Sequence, residues 1–170
     1  MDFLNSIKNI IPDYAKDVRL NIDSVIARSS LSAEDAIGVA LAAAFACKSK
    51  TLINIFKAAL PETEANAALT AASLMGMNNV WYPYVEMAND EDLKTLRPEL
   101  RMNAYATHGG SSKLKFESYA LAASIIGKCH FCISSHYALL KKEGLSAQQL
   151  RDIGRIAATV HATAQVIEAQ

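Results

Sequence analysis

The sequence predicts an all-α fold with no sheet, and three features of the 170-residue chain support this prediction. Hydrophobic residues make up 51% of the chain but aromatic residues only 7%, so the apolar content is mainly alanine, leucine and isoleucine, which suits closely packed helices. Residues typical of helix ends punctuate the chain at helix-length intervals. No window shows the sustained alternation of apolar and polar residues that a half-buried strand needs.

The ends of the predicted helices follow from capping residues and prolines. Pro12 can open a helix, Ser32 precedes two acidic residues as a good N-cap does, and Pro61 ends a helix. Two prolines make 82–101 irregular chain or short helices, and two glycines make 108–112 a loop. The predicted helices span residues 13–22, 33–47, 51–60, 64–80 behind the cap Thr63, 113–126, 129–143 and 146 to near the end.

Charge and hydropathy argue against several classes of function. Lysine plus arginine equals aspartate plus glutamate, 17 each, so no net field favours nucleic acid or an anionic membrane. No uncharged apolar stretch reaches the roughly 18 residues of a membrane span, and no signal peptide is predicted at the N-terminus. Three cysteines suit a cytoplasmic protein with one reactive pair and one spare thiol better than a secreted disulfide framework.

An internal repeat is a further prediction about architecture. Residues 35–81 match residues 117–163 at a constant offset of 82, which sets Cys47 opposite Cys129. Both copies show an alanine-rich helix, a second helix, a capped break and a third helix. The chain is therefore predicted to be a single domain over residues 1–170, whose first half is a scaffold copy and whose second half carries the chemistry.

The segment from Gly127 to His136, with the sequence GKCHFCISSH, is the most informative about function. On a helix, Cys129, Cys132 and His136 share one face, and residues i and i+3 lie about 5 Å apart at Cα, within the span of a disulfide. Gly127 is predicted to break the preceding helix and to leave both cysteines in the first turn of the next, where the helix dipole favours a thiolate. This pattern predicts a redox-active dithiol with a histidine that can take the thiol proton.

Glu117 joins this group through helix geometry. It lies ten residues before Gly127, about 15 Å back along one helix, and His136 lies nine residues after Gly127, about 13.5 Å along the next. If the two helices fold back on each other around Gly127, the two side chains reach the same depth. A glutamate in that place orients the histidine ring, as carboxylates do for catalytic histidines.

The chain resembles the alkyl hydroperoxide reductase AhpD family, within the carboxymuconolactone decarboxylase-like superfamily. The resemblance covers nearly the whole chain, and the glutamate-to-dithiol-to-histidine spacing of Glu117, Cys129, Cys132 and His136 is its most specific part. The other matching segments are Tyr14–Asp17 with Leu20 and Asn21, Met75–Val80, Leu96–Pro98 and Leu100–Asn103.

This resemblance implies a helical bundle with a two-fold internal repeat, a homotrimer and an antioxidant role. The dithiol would pass electrons from the dihydrolipoyl group of a carrier acyltransferase to the peroxiredoxin AhpC, with weak direct reduction of alkyl hydroperoxides. It further implies that Cys132 attacks, that Cys129 is the resolving partner and proton donor, and that Glu117 and His136 form a proton relay. Neither a bound cofactor nor a metal is expected on the chain, since no glycine-rich dinucleotide loop is present.

The chain departs from the family pattern between the two cysteines. The family histidine immediately before the second cysteine is replaced here by Phe131, and His130 lies one residue earlier. That shift turns a helical side chain by roughly 100°, so His130 is not assigned the family role.

Two other functions remain open at this point. A zinc-stabilised interaction module would use Cys129, Cys132 and His136 with either His130 or His161 as ligands, and a lactone decarboxylase of the wider superfamily would not need the dithiol. The remaining candidates have structural interpretations. Cys47 is predicted to be an inert buried thiol, His108 an exposed loop residue, His161 a packing residue and Met75–Asn79 a helix-packing segment.

Overall fold

The computed structural model describes residues 1–170 and contains ten α-helices and no strand, which confirms the all-α prediction. Two single 3₁₀ turns, Asp13–Ala15 and His108–Gly110, complete the secondary structure. None of the helices combines the length and the hydrophobicity that spanning a bilayer requires. The helices are α1 Asp2–Asn9, α2 Lys16–Ala27, α3 Ala33–Ala46, α4 Lys50–Ala58, α5 Glu62–Ala88, α6 Glu91–Thr95, α7 Ala104–Thr107, α8 Lys113–Gly127, α9 His130–Lys142 and α10 Ala147–Glu168.

Helices α3 and α8 form the centre of the molecule, packed against each other and against α5 and α10. In each of the two, nine consecutive residues are buried, over 36–44 in α3 and 116–124 in α8. A helix buried on every side needs small residues so that its neighbours can approach closely, which explains the alanine-rich sequence of both. Helix α8 also carries Glu117, so this acidic side chain is buried in the core rather than exposed at the surface.

Helix α5 is the largest departure from the predicted elements. The sequence pattern ends this helix near Val80 and makes the following residues irregular, but the helix continues to Ala88 with Pro83 inside it. Proline removes its own backbone donor and crowds the carbonyl four residues earlier, but neighbouring contacts can hold a helix together across that position. Here the aromatic ring of Tyr82 stacks on Phe131 of α9, which fixes the segment around the proline against a neighbouring helix.

Smaller differences occur at other helix ends. Helix α1 was not expected, and residues 108–110 form a helical turn rather than an open loop. The first turn after Pro12 is 3₁₀ and α2 extends to Ala27, five residues beyond the predicted end. Gly144, just beyond the C-terminus of α9, has the positive φ of 102° that glycine adopts readily at such a position.

The helix caps of the two halves match at an offset of 80 residues rather than 82. Ser32 and Ser112 cap α3 and α8, and Ser49 and Cys129 cap α4 and α9. Each second cap follows a lysine with positive φ. At this offset, buried apolar residues of the first half stand opposite the candidate site residues of the second: Ile37 opposite Glu117, Leu52 opposite Cys132 and Phe56 opposite His136. The division into two repeated halves as units of one domain stays a prediction.

Asp152 ties helix α10 to the loop between α2 and α3. Its buried carboxylate accepts hydrogen bonds from the backbone N–H and the hydroxyl of Ser30, at 2.8 and 2.7 Å, and from Arg151 and Arg155. Burial by itself raises the pKa of this carboxyl, but the hydrogen bonds from Ser30 and the two arginines outweigh it and lower the pKa to about 2.

The low pKa of Asp152 predicts a pH-dependent loss of stability in the Asp152→Asn variant. Because the carboxylate is favoured in the folded state, its contribution is present above pH 4 and disappears as the pH falls toward 2. We expect the variant to be less stable by about 2 kcal/mol at pH 7, with the difference from the wild type shrinking between pH 4 and pH 2. Urea unfolding of both proteins across this range measures it, and a difference that stays constant with pH would contradict the assignment.

Candidate active site: a disulfide beside a buried glutamate–histidine pair

Helices α8 and α9 form the hairpin that brings the candidate residues together. The chain reverses at Lys128, whose φ of 53° lies in the left-handed region, and the N–H of Cys129 returns to the carbonyl of Ser124 at 3.4 Å. Gly127 does not break α8 as predicted, since it is the last residue of that helix. A Cβ at this position would lie 2.2 Å from Nδ2 of Asn79, so the glycine instead allows α8 and α5 to approach closely.

Cys129 and Cys132 are joined by a disulfide at the N-terminus of α9, with their Cα atoms 5.3 Å apart. Cys129 is the N-cap residue, and its sulfur accepts the backbone N–H of Cys132 at 3.3 Å. The sulfur is therefore placed where unpaired helix amides favour negative charge. Cys129 is completely buried and Cys132 is 3% exposed. Of the two, only Cys132 lines the adjoining cavity.

Glu117 and His136 meet across the hairpin, where Oε2 of Glu117 lies 2.6 Å from Nδ1 of His136. Both side chains are buried, so the contact is shielded from water. A carboxylate only accepts hydrogen bonds, so Nδ1 carries the proton that it donates to Glu117. In the neutral ring this tautomer leaves Nε2 without a proton, and Nε2 is then the nitrogen that can accept one.

Met75 of α5 occupies the other side of the histidine ring. Its thioether sulfur lies 3.2 Å from Nε2 of His136 and 4.0 Å from the hydroxyl of Tyr105. No hydrogen bond links His136 to either cysteine while the disulfide is closed. The sulfur of the fully buried Met75 is thus the group that lies against Nε2 of His136 while the disulfide is closed.

A cavity of about 330 Å³ opens between α5, α8 and α9 and reaches both Cys132 and the glutamate–histidine pair. Burial, followed by the nearby charge of Glu117, raises the pKa of Tyr105, so its hydroxyl remains protonated in this cavity at neutral pH. The arrangement can receive a small thiol or peroxide at Cys132 with an acid–base group nearby. The lining residues are Asn78, Tyr82, Met102, Tyr105, Glu117, Phe131, Cys132, Ser135, His136 and Leu139.

The structure therefore brings together all four predicted site residues and adds others that the sequence did not indicate. Met75 and Asn78 belong to the segment interpreted as helix packing, yet Met75 contacts His136 and the carbonyl of Asn78 lies 3.9 Å from the Cys129 sulfur. Tyr82 and Tyr105 come from segments predicted to be irregular or unassigned. In the sequence, Met75, Asn78 and Tyr82 recur at about one helical turn. This spacing places them on one face of a helix, but it does not distinguish the wall of a cavity from a packed core.

The four ligands of the zinc hypothesis do not surround a common point. His130 is 83% exposed and turns toward Glu86 at 3.8 Å, while His161 lies 3.5 Å from the Cys47 sulfur. Nδ1 of His136 is already hydrogen-bonded to Glu117. His130 thus stands outside the site, in agreement with its displaced position between the cysteines.

Cys47 is half-buried and stands apart from the disulfide. Burial raises the pKa of its thiol to about 11, so it carries almost no thiolate at neutral pH. His108 is half-buried rather than exposed, with its ring 5.9 Å from that of Phe116.

Residues 91–169 match the carboxymuconolactone decarboxylase family, and this span contains all four candidate residues. Nearly the entire chain is similar to proteins named alkyl hydroperoxide reductase AhpD. The identity is 40% over 167 residues with the protein of Frankia alni, covering 96% of this chain and 90% of the relative. The chain belongs to the AhpD family. The proteins of Rhodospirillum centenum and Coxiella burnetii are 38% and 39% identical, and the alignments cover 98% and 96% of this chain and 91% and 96% of those proteins.

Membership of the AhpD family makes the chain an oxidoreductase with an antioxidant role. The family relationship accounts for the all-α fold. It does not by itself assign a step to any residue, so the roles of the four side chains have to be argued from their positions.

Proposed function

We propose that the Cys129–Cys132 pair passes electrons from a protein-bound dihydrolipoyl group to the peroxiredoxin AhpC. The observation that carries this proposal is the asymmetry of the disulfide. Cys132 lines a cavity that the glutamate–histidine pair also lines. Cys129 is completely buried, and its sulfur accepts a hydrogen bond from a backbone N–H of the helix. No cofactor bound to the chain is needed for this exchange.

In the reductive half of the cycle, one thiolate of the dihydrolipoyl group attacks the Cys132 sulfur. The Cys129 sulfur leaves as a thiolate, which the N–H of Cys132 and the positive end of the α9 dipole stabilise. The second thiol of the donor then attacks its own partner sulfur and releases Cys132. The donor ends as a closed disulfide, and both cysteines are reduced by two electrons and two protons in total.

In the oxidative half, His136 accepts the proton of the Cys132 thiol while Glu117 stabilises the imidazolium that forms. The Cys132 thiolate attacks the disulfide of oxidised AhpC to give a mixed disulfide, and Cys129 resolves it. An alkyl hydroperoxide can take the place of AhpC. The thiolate then attacks the peroxide oxygen, an alcohol leaves, and Cys129 converts the Cys132 sulfenic acid to the disulfide with loss of water.

Rapid mixing of the reduced protein with oxidised AhpC tests this proposal. We expect closure of the Cys129–Cys132 bond, seen as the loss of two alkylatable thiols per chain, together with the gain of two thiols in AhpC. A parallel reaction with an alkyl hydroperoxide should close the same bond more slowly. Retention of both thiols with AhpC and with the hydroperoxide would overturn the proposal, and so would a failure of dihydrolipoamide to reopen the bond.

A further inference from the structure

A second groove of about 540 Å³ adjoins the cavity that contains Cys132. It runs between α5, α6 and α9, and it shares the side chains of Tyr82 and Phe131 with the cavity. One pair of aromatic rings thus forms a wall of both spaces. The groove is lined by Tyr82, Val85, Glu86, Lys94, His130, Phe131 and Ser134.

The two rings at this junction are stacked, and one of them is exposed. Phe131 leaves 54% of its surface accessible, and its ring stacks on Tyr82 with centroids 4.3 Å apart and planes 26° apart. Phe131 immediately precedes the reactive cysteine and presents apolar surface that a ligand can cover. Its stacking fixes a flat apolar surface that extends from the groove to the neighbouring Cys132.

We infer that this groove holds the aliphatic arm of the dihydrolipoyl group, with Phe131 and Tyr82 as the surface along which the arm reaches Cys132. The inference rests on the proposed function and adds to it the binding subsite for the reductant. The groove is open while the disulfide is closed, and the closed disulfide is the form that a dithiol donor must bind. A groove that shares two side chains with the cavity matches a ligand whose dithiol sits at the end of a chain, because the chain can lie in the groove while the dithiol reaches the cavity.

The chemistry of the groove fits an arm of this kind. Val85 and the two rings provide apolar surface for methylene groups, and the hydroxyl of Ser134 and the ammonium of Lys94 can donate to an amide carbonyl of the arm. The two charged residues that line the groove, Glu86 and Lys94, carry opposite charges. An uncharged chain is therefore accommodated more readily than a strongly charged one.

The inference predicts that Phe131 distinguishes long-armed dithiols from short ones. The oxidised protein is mixed with dihydrolipoamide or with dithiothreitol, which has no arm, and the second-order rate constants for opening the disulfide are compared. We expect Phe131→Ala to lower the ratio of the dihydrolipoamide constant to the dithiothreitol constant about tenfold. Tyr137→Ala, which removes another exposed aromatic ring of α9 outside both spaces, should leave the ratio unchanged.

A second variant tests the groove without touching the rings. Ser134→Leu puts a bulky side chain into it from an exposed helix position, and we expect the same fall in the ratio. An unchanged ratio in both variants would overturn the inference. Equal slowing with the two dithiols would also overturn it, because Phe131 would then affect the disulfide itself and not the binding of the arm. Wild-type protein that dithiothreitol opens and dihydrolipoamide does not would instead refute the proposed function.

Discussion

Replacing Cys132 by serine will abolish electron transfer to AhpC and reduction of alkyl hydroperoxides. The serine hydroxyl is close in size to the thiol but neither forms a disulfide nor attacks one, so the variant loses the only cysteine sulfur that lines the cavity. We expect the rate to fall by at least about a thousandfold, to the level of the uncatalysed reaction. Coupled turnover with dihydrolipoamide and AhpC measures the loss.

The chain offers a matched control for this variant in its third cysteine. Cys47 is half-buried and its pKa is raised to about 11 by burial, so Cys47→Ser removes a thiol without removing a reactive one. Turnover of Cys47→Ser should equal that of the wild type. Full activity in Cys132→Ser, or a comparable loss in Cys47→Ser, would show that the wrong sulfur has been assigned.

A further variant separates the attacking cysteine from the resolving one. In Cys129→Ser, Cys132 can still attack AhpC, but the mixed disulfide has no internal partner to resolve it. We expect a covalent complex of the two proteins that accumulates under non-reducing conditions and is separated into its two proteins when dithiothreitol reduces the mixed disulfide. The complex should not form with Cys132→Ser. The opposite pattern would exchange the roles of the two cysteines.

The parts of this site that the sequence could predict are those that depend on helix geometry. The rise per residue places Glu117 and His136 at one depth if the chain turns near Gly127, and the structure brings them to 2.6 Å. The prediction that Gly127 makes this turn was wrong. Gly127 packs against Asn79, and it is Lys128 that adopts the left-handed conformation. The predicted depth of the two side chains is still correct, because the geometry of the hairpin is nearly the same whichever of the two residues makes the turn.

The remaining parts depend on how distant helices cross, which residue spacing does not determine. Met75 precedes His136 by 61 positions, and only the packing of α5 beside α8 and α9 brings its sulfur to the histidine ring. Pro83 was read as a helix breaker, although the stacking of Tyr82 on Phe131 supports the helix there. The predicted offset between the two halves is likewise off by two residues, because the caps Ser32 and Ser112 lie 80 positions apart rather than 82.

Replacing His136 by phenylalanine will move the alkylation of Cys132 in the reduced protein to higher pH. Without the imidazole, the thiol has no neighbouring group to accept its proton, so a higher pH is needed to form the same fraction of thiolate. We expect turnover at pH 7 to fall about a hundredfold, within the range typical of a lost general base. Iodoacetamide labelling of Cys132 between pH 5 and pH 10, read by mass spectrometry, gives the profile.

Glu117→Gln tests whether the buried acid acts through the histidine. The amide oxygen of glutamine can still accept the Nδ1 hydrogen, so the ring keeps its orientation, but no negative charge remains to stabilise the imidazolium. The labelling profile should therefore shift in the same direction as in His136→Phe and by a smaller amount. In the double variant, the loss of Glu117 should add nothing, because a positioning residue has no effect once the group it positions is gone. Additive shifts would mean that Glu117 acts on Cys132 independently of the imidazole, and an unchanged profile in Glu117→Gln would reduce the glutamate to a structural acid of the α8 core.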